Sequence, residues 1–238
     1  MKLKVVGTGA IWTKYNSACY LIDNHIMIDF PNGAIKYLYR QNILPQDIDS
    51  ILITHFHGDH FLDVPFFIET FLPKNKNIVN IYCHNSGKGK IEKLGMISFS
   101  NSFKYYYKNA NVNYNFKEHF KIENYDIKKI EVSHGKLKPC YGYVFSFNNS
   151  AVGFTGDSSY CDAIDKMAKM CNYLVCDCTL LNGNEKHMGV NNLRKLANNY
   201  PKCRFIASHM LDGTREELKK LKIENVIIPS DGDEFDIK

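Results

Sequence analysis

Short apolar runs bounded by turn residues alternate with stretches at helical spacing along most of this chain. In the first half the runs at 2–7, 18–22, 26–29, 50–54 and 78–83 read as strands. Asp23-Asn24 is a turn-type dipeptide that makes the second and third of these a hairpin. Pro31-Asn32-Gly33 breaks the chain before a short helix over 34–40. Phe61, Val64, Ile68 and Phe71 recur at helical spacing and are expected in the core, leaving Phe66 and Phe67 on the other side for a subunit contact. A further helix opens near Ser86 and carries the run Lys104-Tyr105-Tyr106-Tyr107-Lys108, read as half-buried helix or loop rather than a base-stacking surface.

The second half begins with strands over 126–132 and 141–147, then Asn148-Asn149 turns the chain into a strand over 151–154. From there the order is helix (162–170), strand (173–177), helix (190–199), strand (204–207), helix (214–221) and strand (225–228). Strands and helices in both halves imply a two-sheet core with outer helices. A duplication of one half into the other stays open, because the residues do not display it.

At 238 residues with 45% hydrophobic side chains, the chain is expected to form one domain, 1–238, with no disordered tract. The formal charge of +5 suits a small anionic substrate and falls short of a nucleic-acid binder's excess. The N-terminus has no signal-peptide pattern, and no apolar run reaches the roughly eighteen residues of a membrane span, so a cytoplasmic protein without membrane contact is expected. None of the eight cysteines forms a Cys-x-x-Cys pair, which leaves them as free, mostly buried thiols.

The chemistry concentrates in His55-Phe56-His57-Gly58-Asp59-His60, placed directly after the apolar Ile51-Leu52-Ile53. Residues two apart in extended chain point the same way, so His55 and His57 can grip one cation, while Asp59 and His60, past Gly58, can turn towards a second. Imidazole and carboxylate without thiolate suit zinc, with manganese or iron as alternatives. Four later segments end apolar strands on a ligand-capable residue: His134, Asp157, His187 and His209.

With these residues the sequence resembles the metallo-β-lactamase superfamily, and within it the tRNase Z-like phosphodiesterases. The His-x-His-x-Asp-His motif, His134, Gly156-Asp157, His209 and the opening Gly7-Thr8-Gly9 match, as does Pro139-Cys140-Tyr141-Gly142-Tyr143. The resemblance implies an α/β fold, a four-layer αββα sandwich of two mixed sheets flanked by helices. It further implies two divalent ions, Zn2+ or else Mn2+ or Fe2+. His55, His57 and His134 would hold the first, Asp59, His60 and His209 the second, and Asp157 would bridge them. Such pairs stand about 3.5–4 Å apart and clamp the attacking and leaving oxygens of a displacement. Asp59 would also aim the attacking water.

His187 follows Asp177-Cys178-Thr179-Leu180 as a histidine follows Glu-Ala-Thr in tRNase Z-like enzymes, where it meets the scissile phosphate and helps the leaving oxygen depart. Asp177 could orient its ring. Two departures matter: Asp177 is a carbon shorter than the family's glutamate, and Met188 replaces a serine. The connection from His134 to Asp157 also lacks the arm with which bacterial tRNase Z holds tRNA. The expectation is therefore a hydrolase of small or cyclic phosphodiesters, with tRNA disfavoured as partner and a homodimer compatible with Phe66 and Phe67. Lys136 and Lys138 could hold an anionic tail or be ordinary surface. Hydrolysis of a lactone, thioester or β-lactam is the alternative within the enzyme class, and a non-catalytic metal-binding sensor the alternative outside it.

Overall fold

Local turn chemistry starts the fold. Asp23 and Asn24 take φ of 47° and 64°, and Asn148 and Asn149 take 44° and 64°, the left-handed pairs that close tight hairpins. The computed structural model describes residues 1–71 and 78–238, which fall into two compact units.

The first unit comprises Met1–Val6, Ser17–Phe116 and Gly232–Ile237. Its sheet is built from β1 (Lys2–Gly7), β2 (Cys19–Ile22), β3 (Ile26–Ile28), β4 (Ser50–Leu52), β5 (Val79–Tyr82), β6 (Val112–Asn115) and β14 (Glu234–Asp236), in the order β14-β1-β2-β3-β4-β5-β6. Strands β2 and β3 pair antiparallel; β3, β4, β5 and β6 then run parallel. Helices α1 (Ala34–Arg40), α2 (Gly58–Phe61), α3 (Asp63–Thr70) and α4 (Gly87–Asn109) make the connections. Every residue of β2, β3 and β4 is buried, as a strand covered on both faces requires. Each buried Ile or Leu there contributes about 1.5–3 kcal/mol over its exposed state. Val64 and Ile68 of α3 and Phe103 of α4 close over this core.

The second unit comprises Gly7–Asn16, Lys117–Asp231 and Lys238. Its sheet contains β7 (His119–Ile122), β8 (Tyr125–His134), β9 (Leu137–Phe147), β10 (Ser150–Phe154), β11 (Tyr173–Asp177), β12 (Arg204–Ser208) and β13 (Val226–Ile227), in the order β13-β12-β11-β10-β9-β8-β7. Strands β7 to β10 form an antiparallel meander and β10 to β13 run parallel. Helices α5 (Asp162–Met170), α6 (Val190–Asn199) and α7 (Asp212–Leu221) connect the parallel strands. Two seven-stranded mixed sheets with helices at their connections carry the fold class the sequence implies.

Three details correct the sequence reading. Strand β9 begins at Leu137 and runs through Pro139, four residues before the expected start. Phe67 is wholly buried, its ring edge-on to Phe30 at 5.5 Å, so it is core and not a subunit contact; Phe66 alone stays 42% exposed. β6, β7 and β14 are strands the sequence pattern did not reveal. Among the described residues, no helix is long and apolar enough to cross a membrane.

Candidate metal centre

In the first unit the histidine cluster hangs from the ends of two parallel strands. Beyond β3, Asp29 enters the left-handed region at φ 60°, and its amide bonds Leu52 O at 2.8 Å. Its buried carboxylate then receives three donors. Thr54 N reaches Oδ1 at 2.8 Å; Thr54 Oγ1 and His60 Nδ1 reach Oδ2 at 2.8 and 2.7 Å. Burial pushes the Asp29 carboxyl above its usual range, against the opposing pull of His60 and the Thr54 bonds. Because the Thr54 hydroxyl donates to Asp29, its oxygen accepts from His55 Nδ1, 3.1 Å away. In both His55 and His60, Nδ1 is thus the protonated nitrogen and Nε2 the ligand-competent one, the arrangement of metal-binding imidazoles.

His57 is extended (φ −77°, ψ 151°) and caps α2, whose first turn carries Asp59 and His60. The His55 ring lies 4.7 Å from that of His57 and 4.1 Å from that of His60, and His60 Nε2 lies 3.8 Å from Asp59 Oδ2. His55, Asp59 and His60 are buried, while His57 is exposed.

In the second unit four strand ends supply the groups. His134 ends β8 and Gly135 follows at φ 59°; Gly156, also at 59°, turns the chain after β10 to present Asp157. Asp177 ends β11, and His209 follows β12 at φ 53°. A left-handed histidine costs about 1–3 kcal/mol and persists only where its surroundings hold it.

Asp177 does that holding. Its Oδ1 accepts from Thr179 N (2.9 Å) and Thr179 Oγ1 (2.8 Å), and its Oδ2 from Ser158 N (3.0 Å) and His187 Nδ1 (2.8 Å). With its proton committed to Asp177, the Thr179 hydroxyl accepts from His209 Nδ1 at 2.8 Å. His134 Nδ1 donates to Lys186 O at 2.7 Å. The His187 backbone is fixed by its N–H to Asn184 Oδ1 (2.9 Å), and its ring stacks on His209 at 5.3 Å and meets His134 edge-on at 4.8 Å. Asp157 Oδ2 lies 3.5 Å from His209 Nε2 and 3.9 Å from His187 Nδ1. Asp157, Asp177, His187 and His209 each present one atom within 4.8 Å of the others. Within this group Asp177 and His187 are bonded to each other through His187 Nδ1. Lys136 and Lys138 are both exposed.

The donor set fits a divalent transition metal. It consists of imidazole nitrogens with tethered partners and buried carboxylates. All eight cysteines are free, seven of them buried, and burial pushes the Cys171 and Cys203 thiols up to about 12. Asp29, Thr54 and Thr179 are the participants that sequence reasoning overlooked. Asp29 directly follows an apolar strand, Thr54 adjoins His55, and Thr179 lies two residues after Asp177.

Comparison with known proteins agrees with this chemistry. The chain is 33% identical over 122 residues to ribonuclease Z of Pyrococcus horikoshii, a match spanning 50% of this chain and 38% of that enzyme. Among solved structures, a diphosphatase of the PhnP family superposes with a TM-score of 0.78 at 20% identity, covering 100% of this chain and 98% of the other. The short form of human tRNase Z superposes at 0.75 with 16% identity and full coverage of both chains. The family model described as anti-Pycsar protein Apyc1 matches residues 1–227. The chain therefore belongs to the anti-Pycsar protein Apyc1 family, with the metallo-β-lactamase fold and the motifs of its tRNase Z-like branch.

Proposed function

We propose that this protein is a metal-dependent phosphodiesterase acting on small or cyclic phosphodiesters. His55, His57 and His134 would hold one divalent ion and Asp59, His60 and His209 a second, with Asp157 shared between the two sets. When bound, the ions supply Lewis acidity and a water acidic enough to attack near neutral pH. The chain's own groups do the rest. Asp59 accepts a hydrogen bond from the attacking water and aims it. His187, its Nδ1 tied to Asp177, offers Nε2 to the departing oxygen of the phosphodiester.

The observation that carries the phosphorus chemistry is the Asp177–His187 bond at 2.8 Å, with the ring stacked on His209. A phosphodiester that expels an alkoxide needs such an acid, whereas the thiolate of a thioester departs without one. The names of the relatives, a ribonuclease and a diphosphatase, point to phosphate esters as well. Size favours small substrates: from His134 to Asp157 the chain forms only β9, the Asn148-Asn149 turn and β10, with no added arm to grip a tRNA.

The reading is tested by assaying metal-replete protein against a chromogenic phosphodiester, a cyclic phosphodiester, precursor tRNA, a lactone, a thioester and a β-lactam. The first two should be hydrolysed and precursor tRNA cleaved poorly. Turnover confined to the last three classes contradicts phosphodiesterase activity, and efficient trimming of a tRNA 3′ trailer contradicts the size limit.

A further inference from the structure

We propose that Phe56 is a positioning residue. Its ring sits in a notch of α4 that only glycine at position 87 leaves open, and that seat fixes the spacing of His55 and His57 on either side of it. The inference rests on the ligand sets proposed above, in which those two histidines share one divalent ion.

The two segments meet because their strands are neighbours. Strands β4 and β5 pair in parallel, and the pairing continues past them, with Ile53 N bonding Tyr82 O at 2.9 Å. The chain leaving β4 therefore carries Thr54-His55-Phe56-His57 beside the chain leaving β5, Cys83-His84-Asn85-Ser86, which opens α4 at Gly87. Thr54, tied to Asp29, holds His55 from one side. Phe56 is the next link, and it crosses to the helix.

A Cβ built on Gly87 would lie 2.9 Å from Phe56 Cε2, nearer still to Cζ, and 2.7 Å from Cys83 Sγ. Real Cβ atoms do not come within 3.0 Å of such neighbours, so the ring occupies the volume that any side chain at position 87 needs. The Phe61 ring meets Phe56 edge-on at 5.1 Å, and Lys90 Nζ lies 4.8 Å from its centroid. Helix α4 thus supplies both the seat and a cover. Helix formation gives no reason for the glycine, because alanine is the better helix former. Gly89 stands two residues on in the same helix, and a Cβ there meets nothing within 4 Å. Ligand side chains must be held within about 0.5 Å of their working geometry, and a ring pushed off its seat pulls on a histidine through each of its two peptide links.

The test titrates cobalt(II), a coloured divalent ion, into chelator-stripped protein. Gly89→Ala should bind it as wild type does. Gly87→Ala should weaken binding about 10–100-fold, the usual cost of disturbing a ligand's support, and shift the cobalt absorption band. Adding Phe56→Leu to Gly87→Ala removes the clashing ring atoms and refills the seat, and should restore most of the affinity. Phe56→Ala empties the seat without a clash and should weaken binding too, which keeps the test decisive if Gly87→Ala does not fold. Equal affinities in Gly87→Ala and Gly89→Ala, or wild-type affinity in Phe56→Ala, overturn the proposal. Recovery of Gly87→Ala by Cys83→Ala in place of Phe56→Leu puts the strain on the thiol and overturns it as well. Affinities in the expected order, in protein that hydrolyses no phosphodiester, uphold the role of Phe56 and sink the phosphodiesterase reading instead.

Discussion

At the scale of single residues, His187 separates phosphodiester chemistry from generic hydrolysis. It completes neither proposed ligand set, so His187→Ala should keep the metal content and the fold. If its Nε2 protonates the departing oxygen, turnover should fall on the order of 10²–10⁴-fold with an alkoxide leaving group. The loss should shrink with nitrophenolate, which leaves without a proton. Equal, small losses on both substrates would make His187 a bystander. His187 and the seven proposed ligands were legible in the sequence because each ends an apolar run or lies in a dense motif. Asp29 was not: its partners Thr54 and His60 lie 25 and 31 residues away, and only the parallel pairing of β3 with β4 brings that carboxylate to them.

Among the elements, the two sheets repeat one plan that the sequence concealed. Each has an antiparallel hairpin, β2–β3 or β9–β10, whose second strand begins a parallel series of four. Thr54 stands two residues beyond β4 and Thr179 two residues beyond β11, the corresponding strands of the two series. Each donates its hydroxyl to a buried aspartate and accepts from a histidine Nδ1. The shared feature is a hydrogen-bond role at one topological position, which no residue-by-residue pattern displays. Thr179→Val keeps the shape and removes the hydroxyl, leaving His209 Nδ1 without this acceptor. Metal affinity should fall about 10–100-fold, the usual cost of losing such an outer partner. An affinity equal to wild type, measured by competition with a chromogenic chelator, would show that Thr179 does not orient the ligand. The strands missed from sequence, β6, β7 and β14, have a common cause. All three lie at sheet edges and are half exposed, so Val-Asn-Tyr-Asn, His-Phe-Lys-Ile and Glu-Phe-Asp lack the apolar run that marks an interior strand.

For the molecule as a whole, the chain's relation to its relatives and its own site point the same way. It matches ribonuclease Z of Pyrococcus horikoshii over only 38% of that enzyme, whereas the Apyc1 family model runs from residue 1 to 227. The tethered histidines and buried aspartates in both units fit divalent cations, and the proposed function assigns the Asp177–His187 pair to the leaving group. The proposed function has two divalent ions, held by this one chain, drive phosphodiester hydrolysis. Its most direct test is to strip the protein with a chelator, return zinc or manganese in measured steps, and follow hydrolysis of bis(p-nitrophenyl) phosphate. Activity should be absent from the stripped protein and rise to a plateau at two ions per chain. A plateau at one ion, or turnover that persists in excess chelator, would contradict the account.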